Sequence, residues 1–363
     1  MLRNRIIHQN ELMYVGPAFE SGETYSPPIT TNLDKLQSIS YSFGYQKTDV
    51  AVVGNSSPVD RPISSSPVVS LNLEYLLSSF HNEKHLGMKV TPQGLSSSFA
   101  LLSGFADETN RENDKKNLYL ATSEEGVDMI GGGTGNISGV LCFHDCQVSS
   151  YDANFTVNEI AKASVSMEGI NASYFNSGSG LSVKVIDRQT ADQADSINVD
   201  IPMTSLANLS GVFIPGNISV SYFNSDGSSL VGTGFEPVTN DKAQDFGISF
   251  NINRRSIDLP DHKITYDKLL TTPIIGSAST TIIDHGNQSG SLADVLDTNK
   301  DYKIVVEMSN SQRSLIITLN EARIDSINYN HALGDKKAIS MSLSYPIDPF
   351  DKNKSLNFSG AYL

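Results

Sequence analysis

The residues with the most evident chemical potential are Cys142-Phe-His144-Asp-Cys146. On a straight strand, positions 142, 144 and 146 share one side, and thiolate and imidazole are zinc ligands. Spacing argues against a metal. A rise of ~3.3 Å per residue puts the two cysteine Cα atoms about 13 Å apart, beyond the ~7 Å limit for a disulfide. Three ligands on one straight strand cannot converge on a tetrahedral ion, and no second Cys/His pair is near. Small buried thiols and a strand histidine are expected instead.

Other candidates are weaker. Ile130-Gly-Gly-Gly-Thr-Gly-Asn136 lacks the Gly-Lys-Ser/Thr ending of a phosphate loop, and strand-like residues follow it. It reads as a turn or hairpin tip. Asp297-Thr-Asn299-Lys-Asp301 starts like a calcium loop, but Tyr302 stands where glycine is required and Met308 stands at the twelfth position. Glu124, Glu125 and Asp128 form an acidic turn with no histidine close in sequence. His81 and His85 have helical spacing, yet they read as a solvent-facing pair in a loop. No Gly-x-Ser-x-Gly or His-Glu-x-x-His is present. The expectation is no enzyme, no catalytic residue, no metal and no cofactor.

The elements around these residues are strands. Ile39, Tyr41, Phe43 and Tyr45 alternate with polar residues, as do Val69, Leu71, Leu73 and Tyr75. The period returns at Ala163–Met167, Ile218–Tyr222, Ile248–Ile252, Tyr302–Met308 and Ile339–Tyr345. Alternation of this kind makes antiparallel sheets with one wet face. Helix is expected only at Gly94–Ala106 and Leu292–Leu296, with a charged loop at 107–117.

The 363 residues allow two to three domains. Only 18% are charged and Trp is absent, a balance closer to β-rich assembly proteins than to metabolic enzymes. Lys plus Arg is 26 against 40 for Asp plus Glu, a net charge of −14 that disfavours tight nucleic-acid binding. No uncharged apolar stretch of ~18 residues suggests a membrane helix, and the N-terminus does not read as a signal peptide.

Two blocks repeat in order. Ser42–Val50 aligns with Ser249–Ile257 at an offset of 207, and Asp60-Arg61 keeps it against Asp267-Lys268. Ser66-Pro-Val-Val69 matches Thr272-Pro-Ile-Ile275 one residue shorter. Asp145–Ser150 aligns with Glu321–Ser326, and Ala163–Met167 with Ile339–Leu343, at an offset of 176. The falling offset leaves 31 extra residues in the first half, expected to include Gly94–Asn117. A tandem duplication of one β domain follows. The expected layout is a 1–34 N-terminal arm, a 35–170 first β domain with an insertion near 90–120, a 171–240 β-rich connection and a 241–363 second β domain. Phe43 and Phe250 are the repeat-related core positions.

Several phrases resemble structural proteins of tailed bacteriophages. They are Asn4–Leu12 with Val15-Gly-Pro17, Ser40–Phe43 with Val59-Asp-Arg-Pro62 and Pro67–Leu71, Phe246–Arg255, and Cys146–Gly169. Together they touch about half the chain, in both halves. The resemblance is to the major tail tube family. It implies two tandem antiparallel β-barrel or β-sandwich domains of tail-tube type. It also implies rings of three or six copies, stacked into a virion tail tube assembled in the host cytoplasm. Implied partners are further copies of the chain and other tail proteins such as the tape measure, terminator and baseplate. DNA passes through the lumen without specific binding, and no membrane is involved. By analogy the arm Met1–Pro28 and the loop Asp107–Asn117 make inter-ring contacts, and Gly131–Gly135 and Asn253–Lys263 are hairpins. Alternatives are another virion component (baseplate, tail terminator or capsid decoration) and a carbohydrate-binding adhesive β-sandwich, which the absence of Trp disfavours.

Overall fold

A computed structural model describes residues 11–18, 30–63, 66–93, 99–106, 114–123, 137–156, 159–176, 181–186, 193–199, 201, 213, 218–225, 227, 243–283, 300–309, 314–330 and 338–360. Period-two sequence becomes long antiparallel strands, and the described chain is mainly β. In chain order come β1 (Glu11–Pro17), β2 (Thr31–Asn32), β3 (Leu36–Gly44) and β4 (Val68–Leu76). Helix α1 (His81–His85), β5 (Val90–Pro92) and helix α2 (Ser103–Ala106) follow. Next are β6 (Lys116–Ser123), β7 (Ile137–Thr156), β8 (Lys162–Gly169), β9 (Asn171–Asn176), β10 (Leu181–Ile186), β11 (Gln193–Val199) and β12 (Ile218–Asn224). The remainder is β13 (Ala243–Asn251), β14 (Arg254–Ile257), β15 (Asp267–Leu270), β16 (Ile274–Ile283), β17 (Tyr302–Ser309), β18 (Ser314–Asn330), β19 (Ala338–Ile347) and β20 (Leu356–Gly360).

Eight strands lie side by side in the order β3-β4-β8-β7-β13-β16-β19-β18. Two of them are long enough to serve a second layer. The first half of β7 pairs with β6 and β9, its second half with β8 and β13. The first half of β18 pairs with β17 and β20, its second half with β19. The change of partners falls at Asp145 (φ 49°) and Glu321 (φ 53°). A bulged residue in the left-handed region bends a strand and re-aims its side chains. The layers then face each other across one apolar cluster running from Met13 to Phe358.

The pairing itself repeats. Phe43 lies opposite Val69 and Phe250 opposite Gly276, both strands shifted by 207. Tyr151 lies opposite Val165 and Ile327 opposite Met341, both shifted by 176, and the bulge after Val148 recurs after Ile324. Met13 opposite Leu120 becomes Val220 opposite Val306, and Leu118 opposite Phe143 becomes Ile304 opposite Leu319. Thus β1, β3, β4, β6, β7, β8 and β9 correspond to β12, β13, β16, β17, β18, β19 and β20. Even a packing detail is mirrored. Val69 faces Gly169, while Gly276 lies beneath the ring of Tyr345, where a Cβ would overlap it.

The structure changes several sequence expectations. The Pro-initiated phrases align by 207 and not one residue shorter, because a one-residue slip would turn every side chain to the wrong face. Residues 11–17, inside the expected arm, form β1, with Met13, Tyr14 and Val15 buried against β6. β12, inside the expected connection, is β1's counterpart. The 31 extra residues divide: the offset falls from 207 to 186 between β4 and β6, and from 186 to 176 between β6 and β7. Of the expected helix 94–106, only α2 is helical among the described residues, and 292–296 lies outside them. Phe250 is buried as expected, but Phe43 is 46% exposed.

Candidate functional site

Among the described candidates, Cys142, His144, Cys146 and His81 are taken up by the interior. The bulge at Asp145 separates the two cysteines, so Cys146 joins the main cluster with Phe143, while Cys142 packs with Tyr14, Tyr119 and Val199 on the other face. The expectation that 142, 144 and 146 share one side is therefore corrected. His144 Nε2 lies 2.8 Å from Ser173 Oγ, and its Nδ1 lies 3.9 Å from Cys142 Sγ. This looks like a relay but is sealed. All three residues are buried, burial lowers the histidine pKa to about 4, and it pushes both thiols up. A neutral imidazole beside protonated thiols is a structural contact.

His81 and His85 sit on α1, not in a loop. His81 is buried with Nε2 3.2 Å from Asn32 O, and the two rings are 4.4 Å apart. Between them Glu83 is fully buried and accepts hydrogen bonds from Tyr75 (2.8 Å) and Tyr151 (3.0 Å). Burial raises its pKa to about 7. Its charged type gave no hint in the sequence that it belongs to the core. The segment from α1 to α2 holds β20 in place: β5 pairs parallel to it, Leu101 N donates to Leu356 O, and Phe80 stacks on Phe358 at 4.6 Å. The acidic turn 124–128, the glycine run 131–135 and residues 297–299 lie outside the described residues, as do 1–10, 19–29 and 107–113. Among the described residues no group of three His, Cys, Asp or Glu could hold a metal.

What remains on the surface is a polar sheet face. The eight-stranded sheet turns Val69, Leu71, Ile248, Phe250, Met341 and Leu343 inward. Its other side carries short hydroxyls and amides. They bond across strands: Ser164 to Asn72 (3.0 Å), Ser249 with Ser277 (2.7 Å), Thr281 with Ser340 (3.3 Å) and Ser344 to Asp325 (2.9 Å). Glu74, Asp152 and Asp325 line a shallow trough of about 630 Å³ on this face, with Lys162 the basic residue among its lining. Lys162 lies 3.6 Å from Glu74, and Lys268 is held 3.0 Å from Glu168. The face offers a polyanion hydroxyls and carboxylates, with its lysines already engaged.

The two ends of this sheet differ from its middle. Among the described residues β3 pairs only with β4, and residues 323–330 of β18 pair only with β19. Their counterparts β13 and β7 pair with each other, Phe250 opposite Tyr151 and Ile248 opposite Ala153. Burial follows the pairing. Ile248 and Phe250 are each 2% exposed; the equivalent Tyr41 and Phe43 are each 46% exposed, on the same side of the sheet as buried Leu71 and Val69. An apolar edge of this kind is a template for another strand. Comparison with protein-family models and with curated proteins finds no match.

Proposed function

We propose that the protein is a structural subunit that polymerises into rings, two tandem β units per chain, and that stacked rings form a tail tube of bacteriophage type. One observation carries the reading: the chain contains a β7–β13 junction whose equivalents, β18 and β3, are the two ends of the eight-stranded sheet, each unpaired on its outer side among the described residues. A second copy can therefore add β3 to β18 as β13 adds to β7, with Phe43 opposite Ile327 and Tyr41 opposite Tyr329. This contact is head-to-tail, and head-to-tail contacts close into rings when the rotation permits. Three copies give a sheet of 24 strands from eight per chain. At ~4.8 Å per strand its circumference encloses a channel about 40 Å or more across at the backbone. The hydroxyl- and carboxylate-lined face turned to that channel lets DNA slide through without being held, since like charge repels phosphate.

On this reading the first unit begins at β1 and the second at β12, and the segment between β4 and β6 is a brace within the chain. Tape measure, terminator and baseplate proteins are partners by the same reading, and the assembled tube belongs to the virion. Negative-stain electron microscopy of the purified protein over a concentration series tests it. Rings or tubes with an open channel and threefold or pseudo-sixfold symmetry are expected. A compact closed particle without a channel would redirect the reading to a baseplate or decoration role.

A further inference from the structure

The segment from α1 to α2 lies between β4 and β6 in the chain but closes over β20. Neutral contacts hold it there. β5 runs parallel to β20, Leu101 N donates to Leu356 O, Lys89 N donates to Leu101 O, and Phe80 stacks on Phe358. At its base, Asp34 N donates to Asn82 Oδ1 (2.7 Å) and Asn82 Nδ2 donates back to Asp34 O (2.9 Å). Glu83 is the exception. The hydroxyls of Tyr75 and Tyr151 both converge on its Oε1, while Oε2 is buried with no hydrogen-bond partner among the described residues. An unpartnered oxygen is a modest penalty on a carboxylic acid and a large one on a carboxylate. Tyr151 in turn stacks on Phe250 of β13 and lies 5.7 Å from Phe358 of β20, so the carboxyl stands behind the aromatic contact that the segment covers. The repeat sets this trio apart. At the offsets of 207 and 176, Tyr75 and Tyr151 correspond to Ile282 and Ile327. Hydroxyls stand in the unit that receives Glu83, and isoleucines stand in the other.

We infer that Glu83 makes the segment from α1 to α2 a proton-operated latch: with the carboxyl protonated the segment stays closed on β20, and with it ionised the segment lifts away and uncovers Phe358 and the outer edge of β20. The titratable groups on α1 itself are His81, Lys84 and His85, and Lys116 of β6 acts on His85. Tyr75 of β4 and Tyr151 of β7 face the carboxyl, Tyr345 of β19 lies beyond Tyr151, and Asp34 sits beside Asn82. Burial raises the three tyrosines, which remain protonated donors. Burial, with the charges of His81, Lys84 and Lys116, lowers His85 to about 4 and leaves it neutral above that. Among the described residues no cation acts on the Glu83 carboxylate to offset its burial.

Hydrogen exchange of the full chain from pH 5 to pH 9, corrected for the intrinsic pH dependence, tests the latch at the bonded amides of Leu86, Met88, Lys89 and Leu101. Burial raises the Glu83 pKa to about 7 in the closed state from a usual 4.5. The preference for closure is therefore complete below about pH 4.5 and is lost as pH rises through 7. Opening at these amides should increase roughly 30-fold or more between pH 5 and pH 8 and level off above it. Amides of 163–167 on β8 and 339–343 on β19 should keep their protection. Glu83→Gln should abolish the change, which separates Glu83 from the histidines of α1. Tyr151→Phe removes a donor to the carboxylate and should move the levelling-off to higher pH. Opening that is equal at pH 5 and pH 8, that changes as much in Glu83→Gln, or that spreads equally to β8 and β19 would overturn the latch.

Discussion

β3 and β13 are the same strand placed twice, and their difference is instructive. Both alternate apolar and small polar residues, both feed a hairpin of one register, and both pair on one side with an equivalent strand. β13 has β7 on its other side, so Phe250 stacks on Tyr151 at 5.4 Å and vanishes from the surface. Among the described residues β3 has only β4, so Phe43 reaches Phe143 at 6.4 Å and stays half open. Sequence supplies the apolar residue in both places. The neighbour decides whether it is core or interface.

The largest effects should separate the two strands. Phe250→Ala is expected to cost ~3–5 kcal/mol of stability through lost transfer energy and a cavity. Phe43→Ala should cost about 1 kcal/mol or less in the unassembled chain, yet impair assembly. Urea unfolding of both variants checks this, and equal losses would break the comparison. Asp114 and its counterpart at the offset of 186, Lys300, should differ in the same way. Asp114→Ala leaves the buried Arg254 guanidinium without its carboxylate and should cost ~3–5 kcal/mol. Lys300→Ala, at the equivalent position of the second unit, should stay within ~0.5 kcal/mol in the unassembled chain.

The next effect belongs to the segment from α1 to α2. Burial raises the Glu83 pKa to about 7 in the folded chain from a usual 4.5. The folded state therefore favours its protonated form. That contribution is complete below about pH 4.5 and is lost as pH rises through 7, a difference of ~3 kcal/mol. Glu83→Gln should flatten this part of the profile, raising stability at pH 8 relative to the parent. Denaturant midpoints measured from pH 4 to 8 check the sign. Smaller still is the mirrored packing at the sheet. Gly276→Ala places a methyl against Tyr345 and should cost ~1–3 kcal/mol. The double change Gly276→Val with Tyr345→Gly copies the Val69–Gly169 pair and should recover part of it in a thermal melt.

Much of the sheet was legible because period two survives in the sequence. The repeat was also legible, since Ser42–Val50 and Ser249–Ile257 keep their residue types. What escaped was set by contacts between distant segments. Asp145 and Glu321 bend their strands without a glycine to announce it, so Cys142 and Cys146 seemed to share a side. β1 hid among the glycines and prolines of the expected arm, although Met13 and Val15 carry the alternation. Glu83 and His81 carry polar types that usually mark a surface, and hydrogen bonds to tyrosine hydroxyls and a backbone carbonyl help make their burial tolerable. Phe43 reads as core because an interface strand and a core strand have the same pattern.

The central claim is that the open edges of β3 and β18 join copies as β7 and β13 join within the chain. Hydrogen exchange, measured by mass spectrometry on unassembled and assembled protein, addresses it most directly. Amides of 245–251 and 150–156 should be protected in both states. Those of 38–44 and 326–330 should gain protection only on assembly, by roughly 100-fold or more where new ladder bonds form. Assembled particles in which β3 and β18 exchange as fast as in the free chain would contradict the account.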